Sequence, residues 1–472
     1  MPVGSSSLLV ASWFLLQASI LVPSQSTAPQ TRVRWEKLVY EDVKALIQET
    51  TEELAKNPKN AIAFRMRSSG FYRNNEPEKG KADAVAALAL LSNPTNAEEF
   101  EAKCYAERRT EKYDEALSDC TKAIALDPKF AWAYYNRGRA NEFKKLYPQA
   151  IADYTKAIEL NSAFHDAYTS RGYLNSLDKQ YDKAIADYTK AIQLDPKRAS
   201  EYFGRGFIYY AKQEYDPAIA DYTKAIELDP KYAAAYNDRG VVYNLKRRYD
   251  LSIADHTKAI ELDPKAPQPY SGRGEAYYGK KQYDLAIADF TKAIEVDPKW
   301  SRPYYFRGLV SGDKKDYDRA ISDFTKSIEL VPTAAIAYNE RGSIYAEKNE
   351  NGLAKMDFTK AIELDPKYPS PYLRRGNTHF NDKQFDLAIA DYTKAIELDP
   401  KFAVAYSNRG NARREKKEFD LAIADATRAI ELDPTDYRAY NLRALAYEAK
   451  GEKILAEKDR QRAEALKANP GN

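Results

Sequence analysis

Cys104 and Cys120, sixteen residues apart, are the only cysteines in the 472-residue chain and its first candidates for chemistry. A thiol pair can close a disulfide, which across that separation contributes on the order of 3 kcal/mol. It can equally stay reduced and pack as two small apolar groups. Metal binding is poorly supported, because none of His165, His256 and His379 falls in the segment 97–130 that holds both thiols, and metal sites need clustered ligands. There is no glycine-rich phosphate loop and no nucleophile–histidine–acid set, so no reaction class has its residues in place. The sequence predicts a non-enzyme with no metal, no cofactor and no small-molecule substrate.

A second set of residues could form ion pairs. Ten arginines stand 34 residues apart from Arg137 to Arg443, and an aspartate follows each by sixteen residues. Arg205 thus precedes Asp221, and Arg239 precedes Asp255. Lys103 with Asp119 continues the series, whereas Ser69 with Val85 loses both partners together. Such pairing predicts an arginine with its stem packed and its head hydrogen-bonded. A partly buried pair of that kind fixes orientation more than it adds net stability.

These residues sit at fixed places in a 34-residue period. Pro94, Pro128 and the prolines from Pro196 to Pro434 are separated by multiples of 34, with Ser162 standing in once. Counting back gives twelve units, 63–96 to 437–470, the signature of a stacked array whose units cannot bury their apolar faces alone. In 199–232, with positions numbered 1 to 34, Tyr202, Arg205, Gly206 and Tyr209 make one helical stripe; Tyr215, Ala218, Tyr222 and Ala225 make another. Small residues at 8, 20 and 27 let the axes approach, and Asp229-Pro230 ends the second helix. The repeated tyrosines therefore read as core. Cys104 and Cys120 occupy positions 8 and 24, where other units mostly carry glycine and an aromatic ring, so their side chains should face each other. Asn351-Gly352 replaces the aromatic–Asp pair at positions 17 and 18, which predicts a weak joint.

The pattern of aromatic at 4, small at 8, aromatic at 11, Ala at 20, aromatic at 24, Ala at 27 and Pro at 32 resembles the tetratricopeptide repeat over residues 63–470. Arg at 7 departs from the apolar residue usual there. The resemblance implies an all-α, right-handed superhelical solenoid of antiparallel helix pairs, the first helix of each lining a concave groove. Residues 27–62 read as a linker and a capping helix over 36–58. The resemblance places partner contacts at positions 2, 5, 9, 12 and 13, and helical angles independently point these away from the core. They include Trp132, Tyr135, Phe143, Tyr173, Phe203, Phe207 and Tyr210 in the N-terminal third, then Asn237, Asn244, Asn339, Asn377, Ser407 and Asn411. Aromatic anchors concentrate binding energy. Position 5 carries no lysine, so the chaperone-tail role of some family members is not expected.

Charge is nearly balanced, 73 Lys and Arg against 70 Asp and Glu, with no long basic block; nucleic acid is not an expected partner. Leu8–Val22 is an uncharged apolar run, shorter than the roughly 20 residues of a membrane span. It fits a signal peptide over residues 1–26, although no Lys or Arg precedes it. An uncleaved anchor, touching the membrane only through 8–22, is the alternative. These readings predict an exported protein, periplasmic or secreted, that binds peptide or helical segments of other proteins. The second reading is an architectural component of an envelope-associated assembly, built by stacking rather than by peptide capture.

Overall fold

The structure is a computed structural model that describes residues 34, 35, 38 and 42–468. The apolar run 8–22 and its cleavage region lie outside the described residues. The chain divides into two compact units, 1–246 and 247–472, called here the N-terminal and C-terminal bodies. From Val43 onward the described residues form 25 helices and no strand. Helix α1 (Val43–Lys56) buries Leu46, Thr50 and Leu54 against α2 (Ala61–Arg73), which is followed by α3 (Pro77–Leu90). Each later unit repeats a 13-residue first helix and a second helix of 14 residues, 16 in the last, as in Ala199–Ala211 and Tyr215–Leu228.

Local chemistry sets the boundaries. The residue at position 15, between the two helices of a unit, adopts a left-handed backbone with φ of 56–65° from Asn75 to Lys417, and only at Gly451 is it glycine. The turn closes when the next amide reaches back five residues, as Glu214 N–H does to the Tyr209 carbonyl at 2.8 Å. Most second helices end at an aspartate whose side chain accepts from the amide two residues on, as Lys231 N–H to Asp229 Oδ1 at 3.0 Å, while the intervening proline blocks another turn.

Packing follows the small–large pattern. Ala218 and Ala225 are fully buried, and a Cβ placed on Gly206 would lie 3.0 Å from the Tyr222 ring. In 97–130 the same two places hold a disulfide, Cys104–Cys120, with Cα atoms 5.4 Å apart and both residues fully buried.

The first unit corrects the expected register. Its helices start at Ala61 and Pro77, two residues ahead of the units that follow. Arg67 Nε and Nη2 then bond Asp83 at 2.8 and 2.9 Å. The ion pair is therefore present here too, and Ser69 with Val85 was the wrong pair of positions. Arg67 also donates to Thr51 of α1 at 3.3 Å, so α1 takes the place of a preceding second helix. The expected weak joint is bridged as well: Asp382 accepts from Asn351 at 2.9 Å and Lys355 at 2.7 Å. Elsewhere a lysine at position 14 pairs with an aspartate at 18 of the unit before, as Lys212 does with Asp182 and Lys348 with Asp318, both at 2.8 Å.

Within each body the first helices of successive units touch one another, and successive second helices do not approach to the same extent. Each stack thus turns its first helices inward. That inward face is where a partner could lie.

Candidate functional site

Position 7 arginines hold the inward-facing helices in register. Arg205 grips Asp221 with two bonds of 2.8 Å and donates through Nη1 to Thr189 of the preceding unit at 3.0 Å. The same three bonds recur at Arg171, Arg273, Arg307, Arg341, Arg375, Arg409 and Arg443. Two parallel N–H···O bonds match guanidinium to carboxylate geometry, and the third ties unit to unit. Arg239 donates to Thr223 at 2.9 Å; its expected partner Asp255, buried at 6 % exposure, falls in the other body. The threonine at position 25 was visible in every unit from 97 to 436, yet its role was missed, because helix angle alone does not reveal a neighbour across units.

The predicted aromatic anchors divide. Trp132, Tyr135 and Phe203 are buried and offer no face to a partner. Trp132 and Tyr135 pack on Phe164 with centroids 4.0 and 5.0 Å away, and Phe203 packs on Tyr232 at 4.9 Å. The residue at position 34 folds back onto position 5 of its own unit, closing over rings that helical angles alone would leave open. Phe143 stacks on Tyr113 at 5.1 Å. Tyr173, Phe207 and Tyr210 are half-buried, the last two with centroids 6.4 Å apart. Asn237 and Asn244 are half-buried, and Asn237 donates to Asp238 at 2.9 Å. Asn237 Oδ1 and Ser407 Oγ are buried atoms without a hydrogen-bond partner, whereas Asn377 is used internally by Tyr392 and Asn408 at 2.9 and 2.8 Å.

A charged network on the inward face of the N-terminal body was not foreseen. Arg65 Nη2 bonds Glu101 Oε1 at 2.5 Å, both side chains fully buried. Asn136 donates to the same oxygen and accepts from Arg108 at 3.2 Å. The guanidinium groups of Arg65, Arg108 and Arg109 lie 4.3, 5.2 and 5.4 Å from the Tyr105 ring centroid, within cation–π range. Burial, then the charges of Arg109 and Arg139, push the Arg108 pKa down to about 9. Burial raises the Glu101 pKa against the pull of Arg65. At Tyr105 burial opposes ionisation, but Arg109, Arg65 and Arg108 outweigh it and lower the phenol's pKa. Asp166 is held well below the carboxylate range: its burial is overcome by Arg73, His165 and Arg198. The two-residue slip hid Arg65 by moving it off position 5. Among the described residues no group of His, Cys, Asp and Glu is placed to hold a metal, and no helix is long and apolar enough to cross a membrane.

No curated protein sequence matches the chain. Among solved structures it is similar to the Cut9–Hcn1 hetero-tetramer of APC/C, at 15 % identity over 93 % of each chain and TM-score 0.44. It is similar to yeast Tom70 at 19 % identity, covering 85 % of this chain and 99 % of that one, with TM-score 0.40. A tetratricopeptide repeat protein from Parabacteroides merdae matches at 21 % identity, over 52 % of this chain and 98 % of that one, with TM-score 0.43. Profiles described as TPR repeat match residues 178–213 and 206–246. Profiles described as Tetratricopeptide repeat match 120–152, 233–265, 267–299, 301–333, 335–368, 369–402, 403–436 and 426–458. With more than half of the sequence matched and helix pairs repeated throughout the described residues, the chain belongs to the tetratricopeptide repeat family, an all-α scaffold for binding other proteins.

Proposed function

We propose that the inward, first-helix face binds extended peptide or helical segments of partner proteins, and that the chain performs no reaction of its own. One observation carries this reading: first helices approach one another along each body, and acceptors on that face, Asn237 Oδ1 and Ser407 Oγ, have unused bonding capacity. A buried acceptor without a donor is costly, and a bound backbone N–H would relieve it. Photocrosslinking tests the reading, with a benzophenone side chain placed at Asn381 on a first helix or at Leu387 on a second helix. Partners captured from cells should crosslink from Asn381; crosslinks from Leu387 alone overturn the assignment.

The second reading, an architectural part of an envelope-associated assembly, draws on one feature. Leu251, Leu285, Leu353, Leu387 and Leu421 are all exposed at position 19 of the second helices in the C-terminal body, a stripe that could seat a neighbour. Mass that rises with concentration in light scattering, without any partner, would favour it. We also read residues 1–26 as an export signal, in keeping with a buried disulfide, since such bonds persist in oxidising compartments. N-terminal sequencing of the protein recovered from cells tests this: a start near Thr27 supports export, and an intact Met1 in the cytosolic fraction sinks it.

A further inference from the structure

Two arginines on the inward face of the N-terminal body, Arg65 and Arg108, keep guanidinium donors that no carboxylate meets. Arg73, Arg109 and Arg139 stand on the same face, and Glu101, Glu142 and Asp166 are carboxylates bonded or close to members of this group. Arg108 donates to a neutral amide oxygen, that of Asn136. Arg65 keeps Nε and Nη1, and Arg108 its Nε, buried without a hydrogen-bond partner; Arg65 is fully buried and Arg108 is 3 % exposed. Glu101 leaves Oε2 unbonded, so its carboxylate is not oriented to meet these donors. Unmet cationic donors out of water cost far more than neutral ones. An anion supplied from outside would lower that cost.

Access is governed by a second contact. Arg73, at the end of α2, bonds Asp166 at 2.7 Å. Asp166 opens the helix His165–Leu177, three units further on and 93 residues away in sequence. The pair is a strap drawn across the face, and both ends are buried. Asp166 and Glu101 thus occupy arginines that a ligand of the same chemistry could take.

We propose that this face receives an acidic segment of a partner protein, whose Asp or Glu carboxylates replace Asp166 and Glu101 on the arginines as the Arg73–Asp166 strap opens. The proposal rests on the reading of the first-helix face as the partner surface and adds the chemistry of the partner. Carboxylate fits better than a nucleic-acid backbone, because the internal occupants are carboxylates, the chain as a whole carries only +3 and its sequence has no long basic block to track phosphates. Displaced Asp166 regains hydration, so the uphill part of the exchange is its release from Arg73, His165 and Arg198, which reduces apparent affinity in proportion.

The test uses the purified full chain and fluorescein-labelled hexaglutamate, with hexaglutamine as the uncharged control, followed by anisotropy. Hexaglutamate should bind saturably and more weakly as salt rises, and hexaglutamine should not bind. Arg108→Gln should weaken binding by about tenfold, the worth of one charge-assisted hydrogen bond. Asp166→Asn should tighten it by roughly threefold to tenfold by releasing the strap, a gain that misfolding cannot imitate. Absence of saturable hexaglutamate binding, or affinities unchanged in both variants, overturns the proposal. So does tighter binding of an oligothymidylate strand than of the peptide, which would assign the face to nucleic acid. If partners crosslink at Asn381 while hexaglutamate fails, this inference alone falls and the partner-binding reading stands.

Discussion

The inward faces of the two bodies are built on one scaffold and filled differently. In both, arginine at position 7, aspartate at 23 and threonine at 25 hold the stack by the same three bonds, as at Arg205 and Arg307. The N-terminal body then places arginines, Glu101 and Asp166 on the face, strapped together and shielded from water. The C-terminal body places amides and hydroxyls there, such as Asn377 and Ser407, and the ion pair Arg302–Glu275 is largely open on its arginine side. Positions that repeat carry the architecture; positions that vary carry whatever discriminates partners. Function is therefore to be sought where a unit departs from its siblings.

That contrast can be broken most forcefully at Arg65. Arg65→Met leaves the Glu101 carboxylate buried without its cation and should cost about 3–5 kcal/mol, read as loss of hydrogen-exchange protection over residues 61–143. A cost near zero would mean that the buried network is not structural. Opening the Cys104–Cys120 bridge with reductant should remove about 3 kcal/mol from the same region, visible as a lower urea midpoint; no shift would show that the bridge constrains nothing. In the C-terminal body the sensitive group is His256, whose pKa is pushed down to about 3 by burial and then by Arg273. The free imidazole titrates near 6.5, so as pH falls below that value the unfolded chain takes up a proton that the folded chain refuses. Stability is then full at neutral pH and drains on acidification, by about 2 kcal/mol between pH 7 and pH 5. His256→Phe should abolish that part of the pH dependence in paired urea titrations, and an identical slope in both proteins would refute it. The smallest effect concerns neither face: Lys315→Gly relieves a left-handed residue with φ of 60° and should raise stability by about 0.5–1 kcal/mol, measured as a higher urea midpoint, whereas a loss would show that the lysine side chain contributes there.

Much of this was legible in the sequence because the chain repeats itself. The helix pairs, the Arg–Asp contact and the meeting of Cys104 with Cys120 all followed from comparing units with one another. The comparison failed where a unit stands alone. Pro94 lies a multiple of 34 from later prolines by coincidence of a longer connection, and it concealed the shift that puts Arg67 on Asp83 and Arg65 on Glu101. It failed also where a fold-back decides exposure. Angles on the first helix turn Tyr135 and Phe203 outward, but Phe164 and Tyr232, arriving from the end of the same unit, cover them. Arg73 meeting Asp166 across three units depends on how tightly the stack bends, which no local spacing encodes.

The pairs between position 14 and position 18 of the preceding unit carry a consequence for heredity. Near-identical repeats invite unequal recombination, which deletes or duplicates whole hairpins. Most junctions would tolerate such exchange, since any unit with lysine at position 14 suits any predecessor with aspartate at position 18. Asp178 and Asp382 invert that polarity, and their predecessors carry Pro148 and Gly352 instead. A hairpin bearing Asp382 grafted behind Asp386 or Asp420 would set carboxylate against carboxylate. The order of the units is thus partly written into their seams, and those two seams mark where a shortened or lengthened descendant would assemble least well.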